Sequence, residues 1–556
     1  MCLRNRKAGR AFDVTRSTPY TARTSTLAIY AGVQGNLSLF GKAEPRLKNR
    51  RVVGLVVIIV SMVLALISLH PLHLSTPGTI QINSAPAVAP ALREWHGGTG
   101  EFRLDSGSRI VLDPAYARQL QTTARVFQQD LSTEIDASLP IALASKPGTG
   151  NFFLTLKTAD RGIGNEGYVL GIDASVTINA HTANGIFYGT RSILQMVRAS
   201  LNHMSLPRGY ARDYPRYQER GFMLDVGRKF VPLAVLEDYI RLMSWYKFND
   251  FQLHFNDNAL GAGNKPDWKH QYAAFRLNSP AFPGLAATDG SYTQQQIQEL
   301  EQVASAYAVT ITPEIDTPAH ALALTRYRPE LASHRYSKEF LDLSNPATYT
   351  FMNSLWNTFL PWFHASQMNI GMDEYDSRDA DKYRQYINSY DAFLKKHGKT
   401  ARMWGSLSQM PSKIAVKNDI TLENWDNTWA NSVDMGKQGF KIINANDHLL
   451  YIVPHASYFN DFLNTRLLYE RWEPYIFNLN YPYLNLQPGD PHLLGATFAV
   501  WNDKYTITSV ADITTRIMPA FPVLGAKMWA GSTPATSYEQ FERMVGQVGP
   551  APGTHF

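Results

Sequence analysis

From Pro215 onward, strand-like apolar runs alternate with helix-like stretches, and this rhythm leaves few folds open to the chain. The strand-like runs occupy 221–226, 250–255, 309–314, 369–372, 401–404, 420–423, 441–444 and 495–501. Stretches 232–246 and 293–307 between them carry apolar residues at helical spacing. Repeated βα units bury their strands on both faces and return each chain segment through a helix. Over residues 215–540 they predict an α/β fold, a closed (β/α)8 TIM barrel. Polar residues gather where the runs end, and in such barrels the C-terminal strand ends are where chemistry is built.

Upstream the pattern is mixed. Short strands are expected near 108–112 and 152–156, with a hairpin pair at 168–172 and 176–180. Residues 184–199, rich in large apolar side chains, read as a helix packed on that sheet, so 93–214 is expected to form a small α+β domain. Residues 70–92, with Pro71, Pro77, Pro86 and Pro90, read as a linker, and 541–556 as a C-terminal tail.

The net charge of +6 is unevenly placed. Residues 1–51 hold 11 Lys/Arg against 2 Asp/Glu, which leaves 42 basic and 45 acidic residues for the remainder. The folded part is therefore slightly acidic, which argues against a nucleic-acid partner. After Arg51, an uncharged apolar run of about 18 residues extends from 52 to 69, close to the shortest membrane-spanning helix. With the basic tail 1–51 on the cytoplasmic side, the expectation is a single-pass transmembrane anchor and an external catalytic domain. A cleaved leader, and hence secretion, is the alternative. Cys2 is the only cysteine, so the external part is expected to have neither disulfides nor a cysteine-based metal site.

Within the barrel, Gly371-Met372-Asp373-Glu374-Tyr375 places two carboxylates side by side after an apolar run, with no adjacent Lys or Arg. Ionised carboxylates are not buried without partners or purpose, and neighbouring like charges push one pKa up. An isolated pair would read as an inert, solvated edge. Here three further polar stretches stand at strand ends, and a barrel makes those ends converge. Arg220-Gly221-Phe222-Met223-Leu224-Asp225 spans the first strand, and His254-Phe255-Asn256-Asp257 closes the second. Pro313-Glu314-Ile315-Asp316-Thr317-Pro318-Ala319-His320 closes the third.

This series resembles the β-N-acetylhexosaminidases of glycoside hydrolase family 20, over roughly residues 95 to 535. The segment Gly185-Ile186-Phe187-Tyr188-Gly189-Thr190 also looks like that family's N-terminal domain. The resemblance implies substrate-assisted catalysis, in which the sugar's own 2-acetamido oxygen attacks the anomeric carbon. Glu374 would then be the general acid and later the base, and Asp373 would hold the acetamido N–H and stabilise an oxazolinium intermediate. Asp257 and His320 would support the acid, and Tyr451 would orient the acetamido carbonyl. For substrate binding the resemblance implies Arg220 and Asp503 on the outer hydroxyls, His254 in the pocket, and Trp404, Trp425 and Trp501 as aromatic walls. Gln252, Ala319 and Lys229 depart from the usual pattern. An insertion-like loop over 261–283 brings Trp268, Tyr272 and Phe275, which are expected to shape the aglycone side.

The resulting expectation is an exo-acting, retaining β-N-acetylhexosaminidase that needs no cofactor or metal and acts on a glycan ending in N-acetylhexosamine. A mildly acidic optimum is expected, with Glu374 protonated beside Asp373. Two rivals remain at this stage: a lacto-N-biosidase using the same site, and an inactive carbohydrate-binding surface protein.

Overall fold

The computed structural model describes residues 81–260, 267–532 and 536–556. The basic tail, the apolar run 52–69, residues 70–80 of the 70–92 linker and the first six residues of the 261–283 loop lie outside the described residues. Among the described residues no helix is long and apolar enough to cross a membrane.

The N-terminal part is a seven-stranded mixed sheet of β1 (Glu94–Arg103), β2 (Ile110–Leu112), β3 (Ile141–Leu143), β4 (Phe152–Thr155), β5 (Tyr168–Ile172), β6 (Val176–Ala180) and β7 (Ser205–Asp213). Their order across the sheet is β1-β7-β5-β6-β4-β2-β3. β5 and β6 alternate buried and half-buried residues, as expected of strands with one face on a core. That face is covered by helices Ala117–Ile135 and Ala183–Ala199. The second helix starts where Thr182 Oγ1 accepts the backbone N–H of Gly185. It is buried along most of its length because the barrel packs against its far side.

The barrel strands are β8 (Glu219–Asp225), β9 (Asp250–His254), β10 (Thr310–Thr317), β11 (Gln367–Gly371), β12 (Thr400–Trp404), β13 (Thr421–Asn424), β14 (Lys441–Asn444) and β15 (Leu493–Val500). Every neighbouring pair is parallel, and β15 pairs with both β14 and β8, closing the ring at eight strands. The eight expected runs are thus the eight barrel strands, displaced by two residues or fewer at most ends and by three at the C-terminal end of β10. They are buried on both faces, the signature of parallel strands covered by crossover helices. Helices Leu233–Trp245 and Gln294–Ala306 return the chain after β8 and β9, the second opened by a Thr293–Gln296 capping box.

The lower end of the barrel is a buried ionic layer. Arg402 lies 3.0 Å from Glu219 and 2.9 Å from Asp250, and it also contacts Glu423. Gln252 sits above this layer and donates to Glu314 at 2.8 Å and to Glu423 at 3.0 Å. Its amide therefore bridges two acids inside the barrel, which gives this departure from the family pattern a structural role.

Arg220 also belongs to the lower end. It is fully buried at the start of β8 and makes a two-pronged ion pair with Glu166 of the N-terminal sheet domain, both arms at 2.9 Å. It also donates to the carbonyls of Lys247 and Tyr217. Beside it Lys247 reaches Asp213 at 2.8 Å, and Trp529 Nε1 donates to the other oxygen of Asp213 at 2.9 Å. The expectation that Arg220 touches substrate is therefore corrected. Its side chain fastens the sheet domain to the barrel at the end of the strand opposite the site.

Candidate active site

The upper ends of the strands bring the other expected residues together, and the backbone there is unusual. Gly371 ends β11 with φ +77°, and Met372, Glu374 and His320 have φ of 83°, 51° and 52°. Non-glycine residues rarely occupy this left-handed region, and they persist there only where the surroundings enforce it. The turn at Met372–Glu374 separates the two carboxylates. Asp373 tucks under the turn at 13% exposure, while Glu374 stands out at 46%. Gly371 is required for a second reason: a Cβ there would fall 1.8 Å from Asp316 Oδ1.

His320 links the pair. Its Nε2 lies 3.5 Å from Asp373 Oδ2 and 3.4 Å from Glu374 Oε2, and its Nδ1 is 3.0 Å from Asp257 Oδ1. Asp257 in turn meets Arg228 at 2.7 Å and His254 Nε2 at 2.9 Å. The second nitrogen of His254 faces Glu314 at 2.9 Å. His254 is fully buried with both nitrogens committed to carboxylates, so its expected substrate contact becomes a supporting role for Asp257.

Arg228 is the arginine that sequence reasoning missed. It follows β8 by three residues and is almost fully buried, with Asp225 at 3.0 Å, Asp257 at 2.7 Å and Asp503 at 3.5 Å. Its guanidinium also lies 5.8 Å from the centre of the Trp501 ring. The signal was available in the sequence, because Arg228 stands past the C-terminal end of a barrel strand and Arg220 stands at its beginning.

The aromatic side of the site is a separate apolar cluster of Met223, Trp404, Tyr451 and Trp501, with Trp425 and Phe459 packed against it. Ring centres lie 5.5 Å apart for Trp404–Trp501, 5.8 Å for Tyr451–Trp501 and 6.4 Å for Trp404–Tyr451. Trp404 is locked because its Nε1 donates to Glu314 Oε1 at 2.6 Å. Among the described residues, the buried Nε1 atoms of Trp425 and Trp501 and Oδ1 of Asp373 have no hydrogen-bond partner. Buried polar atoms are rarely left unmatched, so these are the natural contacts for a polar ligand. Of the insertion-loop aromatics, Phe275 is fully buried core against Phe359, which corrects its expected place on the aglycone side, and Tyr272 stacks at 4.4 Å on Tyr505.

The electrostatics divide the two acids. Burial pushes the carboxyl of Asp373 up to about 6, with the nearby charges of Glu374 and Glu314 adding to it against His320. Burial, then the charge of Asp373, holds Asp316 well above the usual carboxylate range. For Glu374, burial acts upward but is outweighed by His320, whose hydrogen bond and charge hold it below its ordinary value. For His320, burial acts downward and is overcome by Asp257, Asp373 and Asp316, which raise it well above an ordinary imidazole. The upward shift expected of the like-charged pair therefore falls on Asp373, while Glu374 is held low and faces the raised imidazole of His320. Two triads, His254–Glu314–Asp316 and Asp316–His320–Asp373, have spacing compatible with a metal ion. In both, carboxylate neighbours raise the pKa of the imidazole, so a metal there would have to compete with a proton for its lone pair.

A (β/α)8 barrel whose upper rim joins an exposed acid, a buried acid and an aromatic box has the parts of an acid–base catalytic site. The profile described as "Glycosyl hydrolase family 20, catalytic domain" matches residues 217–532, and "Glycosyl hydrolase family 20, domain 2" matches 85–214. The chain belongs to glycosyl hydrolase family 20. It is 24% identical over 493 residues to a lacto-N-biosidase from Bifidobacterium bifidum, covering 84% of this chain and 42% of that one. It is also 27% identical over 384 residues to a β-hexosaminidase from Vibrio furnissii, covering 62% and 60% of the two chains. It therefore spans about half the length of these curated relatives. Among solved structures, the β-N-acetylhexosaminidase from Streptomyces coelicolor superimposes with a TM-score of 0.69 at 21% identity, covering 85% of this chain and 98% of that one.

Proposed function

We propose that the chain is an exo-acting, retaining β-N-acetylhexosaminidase that cleaves terminal N-acetylglucosamine or N-acetylgalactosamine through an oxazolinium intermediate. One observation carries the reading: Asp373 and Glu374 lie on the same side of the site, against one imidazole. A retaining enzyme with its own nucleophile needs carboxylates about 5–5.5 Å apart on opposite sides of the scissile bond. Carboxylates that are neighbours fit a reaction in which the substrate's 2-acetamido oxygen is the nucleophile.

In this reading Glu374 receives a proton from His320 and passes it to the leaving oxygen, and Asp257 holds the imidazole in place. Asp373, anionic above its raised pKa, accepts the acetamido N–H and balances the developing positive charge. Trp404, Trp425 and Trp501 enclose the acetamido group, and Tyr451 orients its carbonyl. The role expected of Arg220, hydrogen bonding to the outer hydroxyls, passes to Arg228 together with Asp503. Tethering of the barrel outside the cell is part of the same proposal and rests on the sequence of residues 1–69 alone.

The test compares aryl β-N-acetylglucosaminide with the corresponding aryl β-glucoside, with a thiazoline mimic of the oxazolinium as inhibitor. The expected result is cleavage of the first substrate only, and competitive inhibition by the thiazoline. Comparable cleavage of the 2-hydroxy sugar overturns the mechanism.

A further inference from the structure

The loop after Tyr451 carries a tyrosine at the mouth of the site that neither the catalytic roles nor the sequence motifs use. Tyr458 OH donates to Asp503 Oδ2 at 2.9 Å, while the other oxygen of Asp503 lies 3.5 Å from Arg228. Asp503 is thus held from both sides, at 11% exposure. Contacts run without a break from the acid to this point: Glu374–His320 at 3.4 Å, His320–Asp257 at 3.0 Å, Asp257–Arg228 at 2.7 Å and Arg228–Asp503 at 3.5 Å. Glu374 and Tyr458 stand at opposite ends of this path. In the substrate pose of the proposed function, a sugar with its glycosidic oxygen at Glu374 would turn its outer hydroxyls toward Asp503 and Tyr458.

The loop is firmly built. Val453 N–H donates to Asn460 O at 2.8 Å, and Asn460 Nδ2 to His448 O at 3.1 Å. Asp461 accepts from Arg516 at 2.7 Å and from the His455 N–H at 2.7 Å. Phe459 packs edge-on against both Tyr451 and Tyr458, and Lys504 Nζ sits 5.2 Å from the Tyr458 ring centre. Tyr458 itself is 46% exposed, so the uncovered part of its side chain faces solvent beside the pocket. A rigid aromatic so placed stands where a further sugar on the outer hydroxyls would have to pass. Admitting that sugar would break the Tyr458–Asp503 hydrogen bond and displace the ring.

We infer that Tyr458 is a specificity-determining residue: it closes the pocket opposite the acid and restricts the site to a single terminal N-acetylhexosamine. The inference rests on the hexosaminidase reading above. It assigns this chain a different size limit from the one that the name of the Bifidobacterium bifidum relative implies.

The test uses the full chain and its Tyr458→Phe, Tyr458→Ala and Tyr458→Gly variants. kcat/KM is measured on aryl β-N-acetylglucosaminide and aryl β-lacto-N-bioside, with a thermal melt of each variant. Wild type should favour the monosaccharide substrate by at least about 100-fold, on the scale of discrimination that one badly placed group supplies. Tyr458→Gly should shrink that preference by about tenfold or more, through faster cleavage of the disaccharide substrate. Tyr458→Ala should move the same way, so a poorly folded glycine variant does not leave the question open. Tyr458→Phe keeps the ring and should keep the preference, while raising KM for the monosaccharide by about 2- to 12-fold, the loss of one hydrogen bond. A preference that stays within about twofold of wild type in both small variants overturns the inference, as does a wild type that favours the disaccharide. A wild type inert toward both substrates overturns the hexosaminidase reading instead, and this inference with it.

Discussion

Arg220 and Arg228 stand eight positions apart, and exchanging each for lysine separates a structural arginine from a working one. Both variants keep the positive charge and lose the planar fork. At 228, one guanidinium nitrogen lies within 2.7–3.5 Å of Asp225, Asp257 and Asp503. Arg228 Nε donates separately to the Asn258 carbonyl at 2.8 Å, and a lysine ammonium, being a single point, cannot serve that carbonyl and the carboxylates while also meeting a sugar hydroxyl. Losing one charge-assisted hydrogen bond is worth about 1.5–3 kcal/mol, so kcat/KM should fall roughly 10- to 150-fold in Arg228→Lys. At 220 the fork clamps Glu166 with two bonds of 2.9 Å, away from the pocket. Arg220→Lys should lower stability by about 1–3 kcal/mol and leave kcat/KM within about twofold of wild type. The assay is steady-state hydrolysis of an aryl β-N-acetylglucosaminide at a temperature where both variants are folded by circular dichroism, paired with denaturant melts. A larger kinetic loss in Arg220→Lys than in Arg228→Lys would refute the assignment of the two arginines.

Glu374→Gln should melt within about 0.5 kcal/mol of wild type, because the side chain is half exposed and its contact with His320, at 3.4 Å, is long. Its turnover of unactivated substrates should drop ~10²–10⁴-fold, with a smaller loss for good leaving groups, and near-normal turnover in a linkage-by-linkage comparison would remove Glu374 as the acid. The pH dependence of kcat/KM should show an acid limb near 6, because Asp373 must lose the proton that burial favours. The alkaline limb should lie above the ordinary imidazole range, where the His320–Glu374 pair gives up its proton. Activity should therefore rise through pH 6 and peak nearer neutrality than the like-charge argument alone suggests, and a rate that is flat from pH 5 to 7 would contradict this ordering. Gly371→Ala should cost at least about 2 kcal/mol in a chemical denaturation series and impair catalysis, because the new Cβ strains a left-handed backbone and collides with Asp316. A neutral effect would show that Asp316 can move freely.

Much of this protein is legible in the one-dimensional pattern. Parallel barrel strands are buried on both faces, so each appears as an apolar run, and the closing ring requires polar residues where the runs end. The eight strands, the paired acids, His320 and Asp257 follow from that pattern, whereas the tryptophans were read only through the family resemblance. The sheet domain was only half visible. β1, β3 and β7 lie at or beside its edges, where less burial leaves a weaker apolar signal, and β1 has glycines at 97, 98 and 100 in place of alternating apolar residues.

What the tertiary structure alone decided is direction and partnership. A seven-residue strand spans about 23 Å, so Arg220 and Arg228 share one motif yet lie at opposite ends of the barrel. The adjacency of Asp373 and Glu374 in sequence says that one pKa must rise but not which. The left-handed turn settles that, burying Asp373 and presenting Glu374 to His320. Likewise Tyr458 has no motif of its own, because its meaning depends on a loop from one strand end reaching Asp503 at the next. Burial and period are properties of a segment and are written along the chain. Proximity between segments is a property of closure, and it exists only once the eight strands have met.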